Sequence, residues 1–413
     1  MPLNVCIYED EYCNRLYPLT LTRPVFELRC GISLLREKIA RRFPHSRLYF
    51  FCRAYLAEML REALPGVPVN EMLSENALFL NGRFILGDDL PAVGTQEMVW
   101  KKEGEVAAAW IEPTRVLTLA HTKDGIICSS WLEGLPVAEI DGKFIRYPWD
   151  LVHRNPSQIK NDFAFFNRGG QMLGKIYPQV TLLEKENIYI AAGVKIKPGA
   201  VLDAEDGPIF IDEGVTIMAN ASLQGPLYVG AKSTIKMGAK IYEGTSIGPV
   251  CKVGGEVEES ILHAYSNKQH EGFLGHAYLG EWVNLGADTN NSDLKNNYSA
   301  VRVQIDGEMI DSASLFVGLF MGDHAKCGIN TMFNTGTVVG VMSNVFGAGY
   351  PDKYVPSFAW GGAESSETYA CDKALEAARR VMGRRKKELT KVQESVFRYV
   401  FELTAPERRA AMT

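Results

Sequence analysis

Three histidines lie close together in the second half of the sequence: His263, His270 and His276, at spacings of seven and six residues. An imidazole has a solution pKa near neutrality, so a positioned histidine can act as a general base. Histidines that a fold brings together can instead bind zinc, which would activate a water molecule. Which of the two kinds of chemistry applies depends on the secondary structure that positions these residues.

A repeat of six residues runs through this part of the chain. Aliphatic residues recur at that interval at Ile211, Ile217, Leu223, Val229, Ile235, Ile241, Ile247 and Val253, and later sets include Phe273, Leu279 and Leu285, then Leu315, Met321, Cys327, Phe333, Val339 and Val345. A short fixed repeat indicates a solenoid whose stacked coils bury one continuous core. The hexapeptide form is a left-handed parallel β-helix with the aliphatic residue pointing inward. A β-sandwich would show a period of two and longer loops, so we disfavour it.

Two polar segments, 254–272 and 288–314, interrupt this repeat. Loops that leave a rigid scaffold are the usual location of binding and catalytic residues. His263 and His270 lie in the first segment, and a group of asparagines lies in the second. We therefore expect a functional site where these loops leave the β-helix.

The first part of the chain has a different pattern. "NVCIYED" and "RLYFFC" are typical of short buried strands, and "GISLLREKIARRF" between them has apolar residues at helical spacing. The order strand, helix, strand predicts a parallel α/β unit. Ligands of such sheets bind at the carboxyl ends of the strands, so the loop after "NVCIY" is the predicted place for phosphate chemistry.

The stretch "NKQHEGFLGHAYLGEWVNLGADT" resembles the bifunctional N-acetylglucosamine-1-phosphate uridylyltransferase/glucosamine-1-phosphate acetyltransferases and related sugar-1-phosphate nucleotidyltransferases with a hexapeptide domain. The resemblance implies that His270 is the catalytic base of acyl transfer and that Asn284 is an active-site asparagine. It also implies substrate contacts from Lys268, Lys295, Asn297 and Tyr298.

The N-terminal stretch "NRLYPLTLTRP" resembles the nucleotide-binding signature of the same family. In that family a sugar phosphate attacks the α-phosphorus of a nucleoside triphosphate, and cations neutralise the transferred group and the leaving pyrophosphate. The resemblance implies that Arg15, Thr20 and Arg23 bind the nucleotide. It implies a Rossmann-like α/β nucleotidyltransferase fold for this region.

"YPWDLVHRN" is similar to a stretch that precedes the β-helix in this family, which implies that Asp150 helps to hold Mg²⁺. An N-cap for the following helix is the structural alternative. The family's glycine-rich turn is replaced here by "EDEYC", and Asn81 and Arg83 follow a strand where the family has a Gly-Asp pair. A neutral amide is a poor ligand for Mg²⁺. Other acids that could bind Mg²⁺ are Glu9, Asp10 and Asp88.

These patterns divide the chain into a nucleotidyltransferase-like domain (1–180), a β-helix (181–365) and a C-terminal helical cap (366–413). The cap would cover strand edges at the end of the solenoid. It contains the basic run "RRVMGRRKKELTK", whose alternation with apolar residues is typical of the solvated face of a helix.

Composition excludes several classes of protein. The formal net charge of −5 provides no basic field, so nucleic acid is not an expected partner. The eight cysteines are scattered singly, which favours a reducing compartment. No apolar run reaches the ~18 residues of a membrane span, and acidic residues stand where a signal peptide would be basic. We therefore expect a cytoplasmic protein.

The expected function is that of a transferase with two activities. A nucleoside triphosphate, a sugar-1-phosphate and acetyl-CoA or another acyl-CoA would be its substrates, with Mg²⁺ as cofactor and a homotrimer as the assembly. The alternative is a regulatory trimer that binds a nucleotide sugar without turning it over. The zinc hypothesis is disfavoured because the histidine spacing differs from that of proteins similar to gamma-class carbonic anhydrases.

Overall fold

The structure is a computed structural model that describes residues 2–71, 73, 75–94, 96–115 and 124–411. The chain forms two compact units. The first is built from the N-terminal segment ending at Leu28, from Ser33–Tyr147 and from Thr390–Tyr399; the second is built from Arg29–Ile32, Pro148–Leu389 and the segment that begins at Val400. Within the described ranges, no helix combines the length and the apolar character that crossing a membrane requires.

The first unit contains a mixed sheet. Its strands are β1 (Asn4–Tyr8), β2 (Arg47–Phe51), β3 (Ala77–Asn81), β5 (Met98–Lys102), β6 (Glu105–Ile111) and β7 (Val137–Glu139). The strands β4 (Phe84–Leu86) and β8 (Gly142–Phe144) form a separate antiparallel pair. The order across the sheet is β2-β1-β3-β6-β5-β7. Two helices of this unit are α1 (Leu35–Arg42) and α2 (Ala57–Ala63).

Strands β1, β2 and β3 form the parallel part of this sheet. Every residue of β1 and β3 is buried, as expected for strands covered on both faces. Tyr8, the last residue of β1, pairs with Asn81, the last residue of β3. The residues after β1 therefore lie beside those after β3, at the predicted ligand-binding edge.

The second unit is a parallel β-helix made of three stacked sheets. The longest sheet has nine strands, in the order Ile188–Ile190, Ile209–Ile211, Leu227–Val229, Thr245–Ile247, Ile261–Ala264, Tyr278–Glu281, Leu319–Met321, Thr337–Val339 and Tyr354–Val355. The second sheet contains Thr181–Leu183, Val201–Asp203, Ser222–Gln224, Lys240–Ile241, Glu256–Glu258 and Phe273–Gly275. The third contains Lys175–Ile176, Lys195–Ile196, Thr216–Ile217, Thr234–Ile235, Lys252–Val253 and Asn267–Lys268. Later coils form two smaller sheets. One pairs Asn290–Asn291 with Met332–Phe333, and the other contains Lys326–Cys327, Asn344–Val345, Ala359–Gly361 and the antiparallel Ser366–Thr368.

The repeat of six defines the core of this β-helix. The eight aliphatic residues from Ile211 to Val253 are each at most 2% exposed and belong to one continuous cluster. The extrapolated repeat is wrong at two later positions. Leu315 is 44% exposed, and Phe273 is only partly buried because Leu274, one residue later, pairs with Val257 and fills the core.

One corner of the β-helix repeatedly uses the left-handed backbone conformation. Val250, Tyr265, Trp282 and His324 have φ values of +61°, +55°, +59° and +58°. Such values are uncommon outside glycine. The rings of Tyr265 and Trp282 stack with centroids 4.3 Å apart, and His324 stacks on Trp282 at 5.9 Å. We call this stack of Tyr265, Trp282 and His324 the aromatic ladder.

Four more helices and one hairpin are found among the described residues, and one of these helices, Lys391–Leu403, belongs up to Tyr399 to the first unit. The helices are α3 (Pro148–Phe166), α4 (Cys371–Gly383), α5 (Lys391–Leu403) and α6 (Ala405–Ala411), and the hairpin joins Arg302–Ile305 to Glu308–Asp311 within the polar segment 288–314. The fold class expected from the sequence is confirmed: an α/β N-terminal region, a β-helix of the left-handed hexapeptide type and C-terminal helices.

Candidate functional sites

A buried ion pair organises the loop after β1. The carboxylate of Glu9 accepts hydrogen bonds from Arg53 Nε (3.0 Å) and Nη2 (2.8 Å). The same Nη2 donates to the backbone carbonyls of Thr20 (2.7 Å) and Arg23 (3.1 Å). Burial by itself would lower the pKa of Arg53, but Glu9 raises it well above its ordinary value. This pair therefore holds the predicted phosphate loop against the end of β1.

A second buried network follows β1 and β3. Asp10 Oδ1 accepts a hydrogen bond from Arg83 Nε (2.8 Å), and Asp10 Oδ2 accepts one from Asn81 Nδ2 (2.8 Å). Arg83 Nη2 contacts Asp10 as well and donates to Glu105 Oε2 at 2.9 Å. Burial opposes the charge on Arg83, yet Asp10 and Glu105 raise its pKa above the ordinary value. A fixed guanidinium thus lies beside the acid that was considered as a metal ligand.

The three predicted nucleotide-binding residues differ in exposure. Thr20 is buried, and its hydroxyl donates to the carbonyl of Cys13 at 2.9 Å. Arg23 is 7% exposed. Arg15 is partly exposed, and its guanidinium lies 4.0 Å from the centre of the Tyr12 ring. Of the three side chains, Arg15 is the one most open to a ligand.

Two other predicted metal ligands are Asp150 and Asp88. Asp150 lies in the first turn of α3 and is partly buried, and it belongs to the second compact unit. Asp88 follows β4, and its backbone carbonyl accepts a hydrogen bond from Arg42 Nη2 at 2.7 Å. The described residues contain no group of three or more histidine, cysteine or acidic side chains that could hold a metal ion.

In the second unit, His270 lies on an exposed turn that a buried lysine fixes. Lys268 is 2% exposed, and its Nζ donates to the backbone carbonyl of His270 at 2.7 Å. Burial lowers the pKa of Lys268 to about 8. Gly255, at φ +69°, permits this approach, because a Cβ there would lie 2.6 Å from both the His270 carbonyl and Lys268 Nζ. The turn presents the imidazole of His270 to solvent.

Asn284 belongs to a row of polar residues on successive coils. In register across neighbouring strands lie Lys252, Asn267, Asn284 and Lys326. The side chains of the two asparagines also contact each other, since Asn267 Nδ2 donates to Asn284 Oδ1 at 3.3 Å. The backbone of Asn284 pairs with the next coil through Ala325 and Cys327. Its position is therefore set by the β-helix itself.

The remaining predicted substrate contacts lie together in the segment 288–314. Lys295 Nζ donates to the carbonyl of Ala300 at 2.6 Å, and Asn297 Oδ1 accepts from the hydroxyl of Ser299 at 2.9 Å. Tyr298 is 70% exposed. The structure thus groups Lys295, Asn297 and Tyr298 on one loop, and it separately groups Lys268 with His270.

The other two histidines are occupied by protein partners. His263 Nδ1 contacts the hydroxyl of Tyr278 at 3.0 Å. His276 lies between two carboxylates, with Nδ1 2.9 Å from Asp293 Oδ2 and Nε2 3.2 Å from Glu259 Oε2. Burial opposes its charge, but these acids raise the pKa of His276 to about 9. A zinc ligand must be a neutral imidazole, so this arrangement does not support the zinc hypothesis.

Sequence reasoning missed the aromatic ladder and the role of the basic run in the C-terminal segment. Tyr265 and Trp282 line a cavity together with Arg384 and Arg385. The sequence pattern placed these arginines on a solvated helix face, but both follow α4, and Arg385 donates a hydrogen bond to Asn267 of the β-helix. The available signal was the recurrence of Tyr265 and Trp282 at equivalent corners of successive coils.

Comparison with known proteins gives a family for the N-terminal part of the chain. Residues 5–171 match the family described as "Sugar nucleotidyl transferase". This range includes β1 except Asn4, the strands β2 to β8 and the loop that carries Arg15, Thr20 and Arg23. The match therefore covers both buried networks at the ends of β1 and β3.

Curated relatives match part of the chain. The bifunctional sugar-1-phosphate nucleotidylyltransferase/acetyltransferase of Sulfurisphaera tokodaii is 29% identical over 51% of this chain and 46% of that protein. The bifunctional protein GlmU of Methanocaldococcus jannaschii is 28% identical over 47% of this chain and 40% of that protein. The chain thus spans less than half the length of these two relatives.

Among solved structures, LpxA from Acinetobacter baumannii is similar with a TM-score of 0.29 and 15% identity, over 57% of this chain and 93% of that chain. The family match over residues 5–171 and these two relatives confirm the resemblance of the chain to the bifunctional sugar-1-phosphate nucleotidylyltransferase/acetyltransferases.

Proposed function

We propose that this protein is a transferase in which the β-helix moves an acetyl group from acetyl-CoA to an amino group of a sugar phosphate or nucleotide sugar. The observation that carries the proposal is the turn of His270. Its imidazole is exposed, while the buried Lys268 fixes its backbone carbonyl. A base held in this way can meet an acceptor without reorganising.

In the proposed reaction the acceptor nitrogen attacks the thioester carbonyl and loses its proton to His270 Nδ1 or Nε2. The carbonyl oxygen carries negative charge as the new C–N bond forms, and the C–S bond then breaks to release CoA as the thiol. Backbone N–H groups at the tight corners of the coils would stabilise that oxyanion. Asn284 would orient a substrate by hydrogen bonds, because its place on the coil is fixed. Lys268 is a positioning residue here, since its amine already bonds the His270 carbonyl. Lys295, Asn297 and Tyr298 would contact the acceptor.

For the N-terminal domain we propose binding of a nucleoside triphosphate or nucleotide sugar through Arg15, with support from Thr20 and Arg23. Nucleotidyl transfer to a sugar-1-phosphate would be slow. The residues at the end of β1 do not fit a divalent cation, because Arg83 and Asn81 already occupy the carboxylate of Asp10. Mg²⁺ held by Asp150 stays an expectation from the resemblance.

This network also favours the second candidate function, a regulatory domain that binds a nucleotide sugar without turning it over. A guanidinium fixed beside Asp10 can attract phosphate but cannot exchange ligands as a metal ion does. We propose the same division as above, with a nucleotide-binding domain (1–180), an acyl-transfer β-helix (181–365) and a helical cap (366–413), in a cytoplasmic homotrimer.

The decisive test is release of free thiol from acetyl-CoA over a panel of hexosamine phosphates and amino-sugar nucleotides. We expect His270→Ala to lower the rate by about 10²- to 10⁴-fold with folding intact, the usual contribution of a positioned base. The matched control is His45→Ala, which removes another exposed histidine, from the first unit. Equal rates for the wild type and His270→Ala would remove His270 from the role.

A further inference from the structure

A basic cleft lies on the β-helix in the second compact unit, where the C-terminal end of α4 covers the polar row. Its cavity has a volume of about 400 Å³, within the range of small-molecule sites. The lining residues are Lys252, Tyr265, Asn267, Gln269, Trp282, Asn284, Lys326, Val381, Arg384 and Arg385. The lining contains four cations and no acidic residue.

Two of the four cations of the basic cleft, Arg385 and Lys326, are held by neutral groups. Arg385 Nη2 donates to Asn267 Oδ1 at 2.9 Å and Nη1 to the carbonyl of Val250 at 3.3 Å. Lys326 Nζ donates to the carbonyl of His324 at 2.7 Å. Over the described parts of the chain, the side chains of Lys252 and Arg384 have neither a hydrogen bond nor an ion pair. Among the described residues, therefore, no acidic side chain pairs with the cations of the cleft.

Burial lowers the pKa of both lysines of the cleft, and neighbouring cations lower that of Lys252 as well. Burial lowers the pKa of Lys326 to about 8. Burial also lowers the pKa of Lys252, and Arg385, Lys236 and Arg384 lower it further. A protein keeps like charges together at a cost in stability, and an anion bound between them would remove that cost.

The geometry of the cleft suits an elongated anion. Lys252, Asn267, Asn284 and Lys326 are in register on consecutive coils, so the row spans about 14 Å at the ~4.8 Å spacing of β-strands. The stacked rings of Tyr265 and Trp282 present a flat apolar wall next to it. Phosphates could lie along the cations while an uncharged group lies against the rings.

We propose that the basic cleft binds the nucleoside diphosphate portion of a cosubstrate and that α4 of the same chain completes this site. Both the ADP end of a CoA thioester and a nucleotide sugar contain such a group. The cleft includes Asn284, and Gln269 immediately precedes His270, so CoA is the expected source. That choice of source rests on the proposed acyl transfer, whereas binding of the diphosphate does not.

The test is calorimetric titration of the full chain with CoA, with UDP-N-acetylglucosamine and with pyrophosphate, at low and at high salt. Lys252→Gln and Arg384→Gln each remove one cation that bonds no protein group, so folding should be preserved. We expect each to weaken CoA binding about tenfold, as for one charge-assisted contact. The matched control is Arg380→Gln in α4, which removes a 75% exposed arginine paired with Glu376. Its Kd should equal that of the wild type.

Comparison of the three titrations identifies the cosubstrate that supplies the diphosphate. Tighter binding of CoA than of UDP-N-acetylglucosamine assigns the cleft to the acyl donor, and the reverse assigns it to a nucleotide sugar. The proposal is overturned if no diphosphate ligand binds, or if the cleft variants bind as the control does. Loss of CoA binding in the variants without any acetyl transfer by the wild type would refute the proposed function alone. Acetyl transfer with an unchanged KM for acetyl-CoA in both variants would refute the cleft alone.

Discussion

The imidazole of His276 should make part of the stability of this protein depend on pH. Its two nitrogens face Asp293 and Glu259, and the residue is 8% exposed. The ring stacks on Phe316 with centroids 5.1 Å apart, and the ring of His153 is 6.3 Å away. Asp293 and Phe316 flank the hairpin in the polar segment, so the charged imidazole fastens that segment to the β-helix.

The magnitude follows from the shift in pKa. The pKa of His276 is raised from 6.5 to about 9. A raised pKa stabilises the folded state fully below the unfolded value and loses that effect as pH rises through the folded value. At 1.36 kcal/mol for each pKa unit, the contribution is on the order of 3 kcal/mol near pH 6 and close to zero by pH 10.

The assay is urea unfolding of the wild type and of His276→Gln across this range of pH. The difference in unfolding free energy between the two proteins should fall by about 3 kcal/mol from pH 6 to pH 10. Comparison with the variant cancels the opposite effect of Lys268 and Lys326, whose pKa values are lowered to about 8. A difference that stays constant with pH would show that folding does not raise the pKa of His276.

Further expectations concern the two proposed sites and the assembly. Asn284→Ala should lower acetyl transfer less than His270→Ala does, which steady-state rates of thiol release would show, and an effect as large as that of His270→Ala would contradict a purely orienting role. Gly255→Ala should destabilise the turn of His270 by about 1–3 kcal/mol, because residue 255 has a φ of +69° and the added methyl group would clash with the His270 carbonyl. An unchanged melting temperature and unchanged thiol release would argue against that clash. Arg15→Ala should weaken binding of nucleoside triphosphates in calorimetry, equally with and without Mg²⁺, and undiminished binding would remove Arg15 from the phosphate site. Sedimentation at micromolar concentration should report a homotrimer, and a monomer would exclude the proposed assembly.

The local periodicity of the sequence was enough to predict the β-helix. Residues such as Ile217 and Ile235 recur at a fixed interval, and each coil buries the same position, so the fold follows from short-range order. The same holds for β1 and α1, whose patterns lie within single segments. The repeat failed at Leu315 because this residue precedes the strand Leu319–Met321, with which the next coil begins, whereas Met321, six positions later, is buried.

Tertiary structure alone decided which charged residues meet. Arg83 reaches Asp10 across 73 positions, and Arg385 reaches Asn267 across 118. The sequence indicated that Asn81 replaces an acid, but it could not show that a guanidinium is fixed beside Asp10. Likewise it placed Lys268 in a substrate-binding motif, whereas the fold buries its amine against the His270 carbonyl. Burial and charge pairing depend on neighbours that the fold brings from distant parts of the chain, so no local pattern could have revealed them.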